Sequence, residues 1–377
     1  MAVVIQELEV VPQAPASASQ PPPATAHAIL REARPTLTLG GKDSPELAER
    51  LLELSVEETT DGLSRCEARF GNWGATGSAV GFLYFDRKTL DFGKALEVGY
   101  GGGTLFEGRI TALEADFPEG APPAISALAE DRLQDLRMVR RTASYENVSD
   151  ADVVRQVASR HGLTPSVSIT GPTYRVLAQV NQSDLAFLRD RCRAVDAELW
   201  MDGTTLHAAP RTSRGGSALV LTVGRELRAF TVIADLANQR TGVAVAGWDV
   251  AGKASIKFEA TEAAVKPELG GDLGGASALS AALGDRKESV VHGVPLTATE
   301  AQARAEAAYR LLARRFLVGR GVADTDPGLR VGATVDLRNL GPLFSGKYYV
   351  AEVRHLFDGA SGLRTEFLAE RAGLGRP

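Results

Sequence analysis

Cysteine is scarce: Cys66 and Cys192 are the two cysteines in 377 residues. They are too few for a disulfide framework and lack the paired spacing of a structural zinc site, so two reduced, buried thiols are expected. Long apolar runs are missing too. No window approaches the roughly 18 to 20 apolar residues of a membrane span. The first basic residue is Arg31, so the basic start of a secretory signal is absent and the chain is expected to fold in the cytoplasm of its producer. Positive charge is not in excess either. Lys+Arg number 42 against 47 Asp+Glu, a net charge of -5, which leaves no global field to draw the chain onto nucleic acid or anionic lipid.

Signatures of chemistry are thin. None of His27, His161, His207, His292 and His355 stands in a His-x-x-x-His or His-Glu-x-x-His pattern, so no metal ligands and no cofactor are assigned. There is no Gly-x-Ser-x-Gly elbow, and neither cysteine has the surroundings of an activated nucleophile, so no catalytic residue is assigned. Gly99 to Gly103 is followed by a strand pattern rather than by the helix that a phosphate loop needs, and it reads as a hairpin turn. Carboxylates are plentiful, as in Glu57-Glu58 and Asp324 with Asp326, but the latter pair lies beside Pro327-Gly328, where turn formation accounts for it. The basic runs Arg137 to Arg141 and Arg314-Arg315 read as a solvated face or an interface rim with acidic partners.

What is present is an ordinary globular composition, 44% hydrophobic and 24% charged, over a length that suits two or three packed units. With 39 glycines and only 6% aromatics, short strands and tight turns should dominate. Residues 1–32 hold a Pro/Ala-rich arm, read either as a disordered tail or as a segment that orders against another protomer. From Leu51 the pattern alternates: Leu52, Leu54 and Val56, an Asp61-Gly62 turn, then Cys66, Ala68 and Phe70. Further strands are expected at 96–100, 105–117 and 125–128, so residues 33–135 read as a first β-barrel domain.

The period then changes. Ser149 and Asp152 have capping-box spacing ahead of Val153, Val154 and Val157, with Gly162 at the expected helix end, where His161 would complement the helix dipole. A second helix over 183–195 places Cys192 on its apolar face and leads into a hairpin turning at Asp202-Gly203. Residues 136–212 are therefore a small α+β insert. Strands in 213–260 are expected to join a second β-barrel, 261–296 to be a flexible Gly-rich loop, and 297–377 to supply a helix capped by Thr297 and Glu300 and the rest of that barrel. The fold class is thus α+β, mainly β.

A faint repeat supports two barrels. Leu105-Phe106-Glu107-Gly108-Arg109-Ile110 can be laid beside Leu343-Phe344-Ser345-Gly346-Lys347-Tyr348, and Leu96-Glu97-Val98 beside Val335-Asp336-Leu337 with one residue of slippage. Three copies of such a chain would close a ring of six similar barrels.

The C-terminal region, with Phe316, Gly319, Gly321, Pro327, Leu329, Gly332, Val335, Leu337, Phe344, Gly346, Tyr348, Tyr349, Val350, His355, Phe357, Gly362 and Phe367 in order, resembles the late control D family of phage tail hub proteins and the hub half of VgrG. The middle agrees, through Asn181 to Arg189, Glu198-Leu199-Trp200 and Asp202-Gly203. The resemblance spans about residues 35 to 372. It implies a structural, non-enzymatic baseplate hub of a contractile, phage tail-like injection system, assembled in a bacterial cytoplasm. It further implies a homotrimer that meets an inner tube or tube initiator, a trimeric spike and other baseplate proteins. VgrG proteins continue into an oligosaccharide-binding fold and a needle, so the spike is expected to be a separate protein. The rival reading from the residues alone is a cell-wall glycan hydrolase or a carbohydrate-binding β protein, which the carboxylates permit.

Overall fold

The computed structural model describes residues 34–215, 218–249, 252–290 and 297–376, so the Pro/Ala-rich arm, His27 and His292 lie outside the described residues. Strands dominate. Ten of them carry the architecture: β1 Leu51–Thr59, β2 Arg65–Gly71, β3 Ala95–Tyr100, β4 Gly103–Asp116, β5 Ala124–Glu130, β6 Leu227–Ala234, β7 Leu317–Ala323, β8 Thr334–Arg338, β9 Gly346–Asp358 and β10 Gly362–Arg371. The expected alternation holds in β2 and in β1 from Leu54 on, where Leu54, Val56, Cys66, Ala68 and Phe70 are buried, but Leu52, expected on the same face, is exposed because the β1–β2 ladder skips it. Gly101 and Gly102, with φ of 57° and 81°, turn β3 into β4, the two positive φ values that a tight hairpin of this kind demands.

The order of neighbours is β1-β2-β5-β4-β3 in the first series and β6-β7-β10-β9-β8 in the second, antiparallel throughout. A sixth strand flanks each series, Thr36–Leu39 antiparallel to β3 and Leu219–Thr222 parallel to β8. The irregularities repeat as well. The β4–β5 ladder skips Thr111 and the β9–β10 ladder skips Ala351; the β1–β2 ladder skips Leu52 and the β6–β7 ladder skips Arg228. Bulges are positional features of a fold, so their coincidence marks two copies of one unit.

These ladders refine the sequence repeat. Leu96-Glu97-Val98 and Val335-Asp336-Leu337 do occupy equivalent rungs, but the bulges put Gly108 level with Tyr348 rather than with Gly346. A displacement of two residues keeps every side chain on its own face, which is why the shifted alignment still looked acceptable.

The two series are not separate closed barrels as expected. They are parts of one 13-stranded sheet, because β1 pairs with the C-terminal half of β9, and no closed ring of strands is formed among the described residues. The first core gathers Leu54, Val56, Phe70, Leu96 and Ile110, and it takes Phe357 and Leu363 from the second series. The second core gathers Leu227, Leu317, Val335, Tyr348, Val350 and Phe367. Gly319 and Gly321 leave room there for two rings: a Cβ on Gly319 would lie 2.1 Å from the Phe230 Cζ.

The helices Asp150–Arg160 and Asp184–Ala194 of the insert pack with a two-stranded and a three-stranded sheet around Val153, Val154, Val157, Leu188, Cys192 and Leu199. Two expectations change. Gly242–Asp249 and Ala254–Ala260 do not join the second series; with Lys287–Val290 they make a separate sheet, whose Val243, Val245 and Ala260 pack on Ala301, Ala305 and Tyr309 of the helix Ala298–Ala313. The run 261–296, read as a Gly-rich loop, contains the helix Gly275–Leu283, because its Ala, Ser and Leu residues are competent helix formers and Ala276 and Leu279 find cover. Residues 291–296 lie outside the described residues.

Candidate functional site

Among the described residues, those that sequence reasoning weighed for chemistry are dispersed. His161 caps the helix Asp150–Arg160, and its Nε2 lies 2.8 Å from Asp184, whose carboxylate also meets Arg141 at 3.1 Å and Arg160 at 3.2 Å. Burial works against the Asp184 charge, yet hydrogen bonds from Gln179 and His161 and the neighbouring arginines hold its pKa below the ordinary value. His207 stacks on Trp200 with ring centroids 4.9 Å apart. Both cysteines are buried, and burial pushes the Cys192 thiol up to about 12, far from nucleophilic use near neutrality.

The carboxylates are engaged likewise. Glu57 pairs with Arg354 at 2.9 Å, Glu58 is buried against Arg330, Asp324 lies 2.7 Å from Arg228, and Asp326 accepts from the Gly328 N–H at 2.7 Å. Glu57 and Glu58 line an open groove of about 550 Å³ together with Glu352 and Glu366, but Glu57 is held by Arg354 and Glu58 by Arg330. An open groove of about 510 Å³ runs beside the helix Ala298–Ala313, but its charges are paired off, Arg193 with Asp61 and Arg211 with Glu370.

What the structure builds with care is the seam between units. Along β1 and β9, Leu54 sits opposite Phe357 and Val56 opposite His355, all buried. Glu58 accepts from Arg330 Nε at 2.9 Å and from the Val331 N–H at 3.3 Å, fixing the loop before β8 to β1. The insert is clamped to the second series by Glu198, which accepts from Arg214 at 2.9 Å and from the Tyr349 hydroxyl, while Arg211 lies 3.7 Å over the Tyr349 ring. Arg314, expected on a solvated face or an interface rim with acidic partners, does meet two carboxylates, Asp196 and Glu268, but is buried between them. Burial disfavours its charge, and hydrogen bonds to Glu268 and Asp196 overcome that and hold its pKa above the usual guanidinium value. Arg315 and Arg140 fit the expected exposed rim.

A second surface feature escaped sequence reasoning. Trp73 and Phe82 of the hairpin Trp73–Thr76/Ala79–Phe82 cluster with Phe85 and Phe117, with centroid separations from 4.8 to 6.3 Å. Phe117 is nevertheless 65% exposed and Phe82 48% exposed. No described helix is long and apolar enough to cross a membrane.

A family model described as "Alg8 N-terminal domain" matches residues 81–358. No curated protein is matched by the sequence. Among solved structures, the 43 kDa tail protein of prophage MuSo2 from Shewanella oneidensis superposes with a TM-score of 0.68 at 14% identity, covering 90% of this chain and 98% of that one. A tail protein from Neisseria meningitidis gives 0.62 at 13% identity, covering 91% and 97%. The E. coli c3393 protein, a type VI secretion component described as similar to the T4 bacteriophage tail proteins gp27 and gp5, gives 0.52 at 13% identity, covering 87% and 76%. The chain shares their fold.

Proposed function

We propose a role for this chain, which belongs to the Alg8 N-terminal domain family, from its duplicated sheet: it is a structural baseplate hub of a contractile, phage tail-like injection system. As a homotrimer it adapts a six-fold inner tube to a three-fold spike. The observation that carries this reading is the repeated strand order and repeated bulge positions of the two series. A three-fold object offers three equivalent faces to a six-fold tube. One chain with two similar units doubles that to six near-equivalent faces while keeping three-fold symmetry on its other side.

The shared fold with tail proteins of prophages and with a type VI secretion component supports the reading. So does the use of the polar residues, which are spent on fixing units to one another. Partners of this hub are the tube or its initiator, the spike and neighbouring baseplate proteins, and its place is the baseplate of a tail-like particle built in a bacterial cytoplasm. The test is a pull-down of the tagged chain from its producer, with mass spectrometry of what accompanies it. Tube, sheath and spike proteins are expected, together with inertness in a peptidoglycan turnover assay. Recovery of the chain alone while particles are being made, or release of glycan fragments, overturns the reading.

A further inference from the structure

The chain joins its two strand series once and leaves the same joint open twice. β1 runs antiparallel to the C-terminal half of β9, from Thr59 opposite Glu352 to Glu53 opposite Asp358. The counterpart of β1 is β6; among the described residues its one ladder is with β7, and apart from an isolated bridge from Leu227 to Val223 it has no second strand partner. The counterpart of that half of β9 is the stretch 112–116 of β4, which pairs only with β5. β6 reads LRAFTVIA and holds neither proline nor lysine, and its Ile233 is 60% exposed. A long, apolar, unprotected edge is a template for another strand.

We infer that β6 of one copy of this chain pairs antiparallel with residues 112–117 of a second copy, repeating between chains the β1–β9 ladder formed within each. This rests on the hub reading above. The bulges transfer the register: Thr111 and Ala351 set β4 against β9, and Leu52 and Arg228 set β1 against β6. The rung of Val56 and His355 becomes Val232 opposite Ala115, and the rung of Glu57 and Arg354 becomes Ile233 opposite Glu114. The rung of Leu54 and Phe357, where the two side chains are 2% and 3% exposed, becomes Phe230 opposite Phe117. Phe117 thus gains the cover that the chain itself does not give it.

The phase agrees on both sides of the comparison. Leu54, Val56 and Glu58 point inward from β1, and Phe230, Val232 and Ala234 pack partly buried on the second core. Pro118 falls level with Asp358, the last rung of the internal ladder, and its missing N–H ends the pairing at the same place. The occupant is a second copy because the strand β6 lacks is of the β9 kind, and β4 is the other strand of that kind in the chain. The contact is head to tail, so three chains close a ring in which three inner and three outer joints alternate.

The test joins Glu114→Cys with Ile233→Cys in the full chain under mild oxidation; both native cysteines are buried and do not compete. Directly opposed antiparallel rungs bring Cα atoms to about 4.5 to 5.5 Å, inside disulfide reach. Loss of the monomer band to a species about three times 39.9 kDa is expected, while either single variant and the off-register pair Glu114→Cys with Ala229→Cys stay monomeric on the gel. Circular dichroism confirms that each variant folds. An open-ended ladder of sizes supports the edge pairing and contradicts the trimeric hub. A trimer seen by light scattering without a cross-link at this pair overturns the edge pairing and leaves the hub standing, and a monomer without any cross-link overturns the pairing as well.

Discussion

His355 is the most exacting single position in the seam. Its Nδ1 lies 2.8 Å from the Thr365 hydroxyl, which is 3.0 Å from that of Thr325, and its Nε2 finds no partner. Burial lowers its pKa to about 4, with Glu58 pulling it up and Arg330 pushing it down. Unfolded, the imidazole titrates near 6.5, so between pH 6.5 and about 4 the unfolded chain binds a proton that the folded chain refuses, and stability falls as pH drops through that window. The loss is on the order of 2 kcal/mol by pH 5. Asp131 acts oppositely: burial raises its carboxyl to about 6, so the folded chain holds a proton between about pH 4 and 6 and gains from acid there. Urea unfolding at pH 7 and pH 5 separates the two. The His355→Gln variant should lose markedly less stability on acidification than the unaltered chain, and equal losses would show that this imidazole does not titrate on unfolding.

Among the helices, Asp150–Arg160 is held by its first turn. The Ser149 hydroxyl accepts from the Asp152 N–H, and the Asp152 carboxylate accepts in return from the Ser149 N–H at 3.0 Å. Ser149→Ala should cost about 1 kcal/mol, read as a lower urea midpoint at unchanged slope. That capping box was legible in the sequence, as were the β1–β2 hairpin, the Asp202-Gly203 turn and the helix carrying Cys192, because each is a local pattern whose period and punctuation lie within a dozen residues. β6 and Ala254–Ala260 fell within the strand region 213–260 without bounds of their own, although β6 alternates, and helix Gly275–Leu283 was hidden by the glycines around it. The β1–β9 ladder was beyond reach for another reason. It joins Thr59 to Glu352 across nearly the whole chain, and nothing in either strand names its partner. The buried Arg314 is similar: a basic pair looks solvated until the fold brings Asp196 and Glu268 to it.

For the molecule as a whole, the duplication was visible as a weak likeness around Leu105 and Leu343, and the ladders turn that likeness into rungs and bulges that can be matched one by one. It explains why so many arginines among the described residues stand in ion pairs between units. Glu58 with Arg330, Glu198 with Arg214, and Asp196 with Arg314 fix units against each other, and a buried pair broken on one side costs far more than a surface one. Rigid registry between two like units is what an adaptor between symmetries needs, because an angular error in one chain is multiplied around a ring. The most direct measurement is a single-particle electron microscopy reconstruction of the tagged particle at the level of this chain. Three copies should appear as six near-equivalent strand series around the axis, with β6 of each lying beside residues 112–117 of the next. A reconstruction with another copy number, or with the two series of one chain in unrelated positions about the axis, would contradict the account.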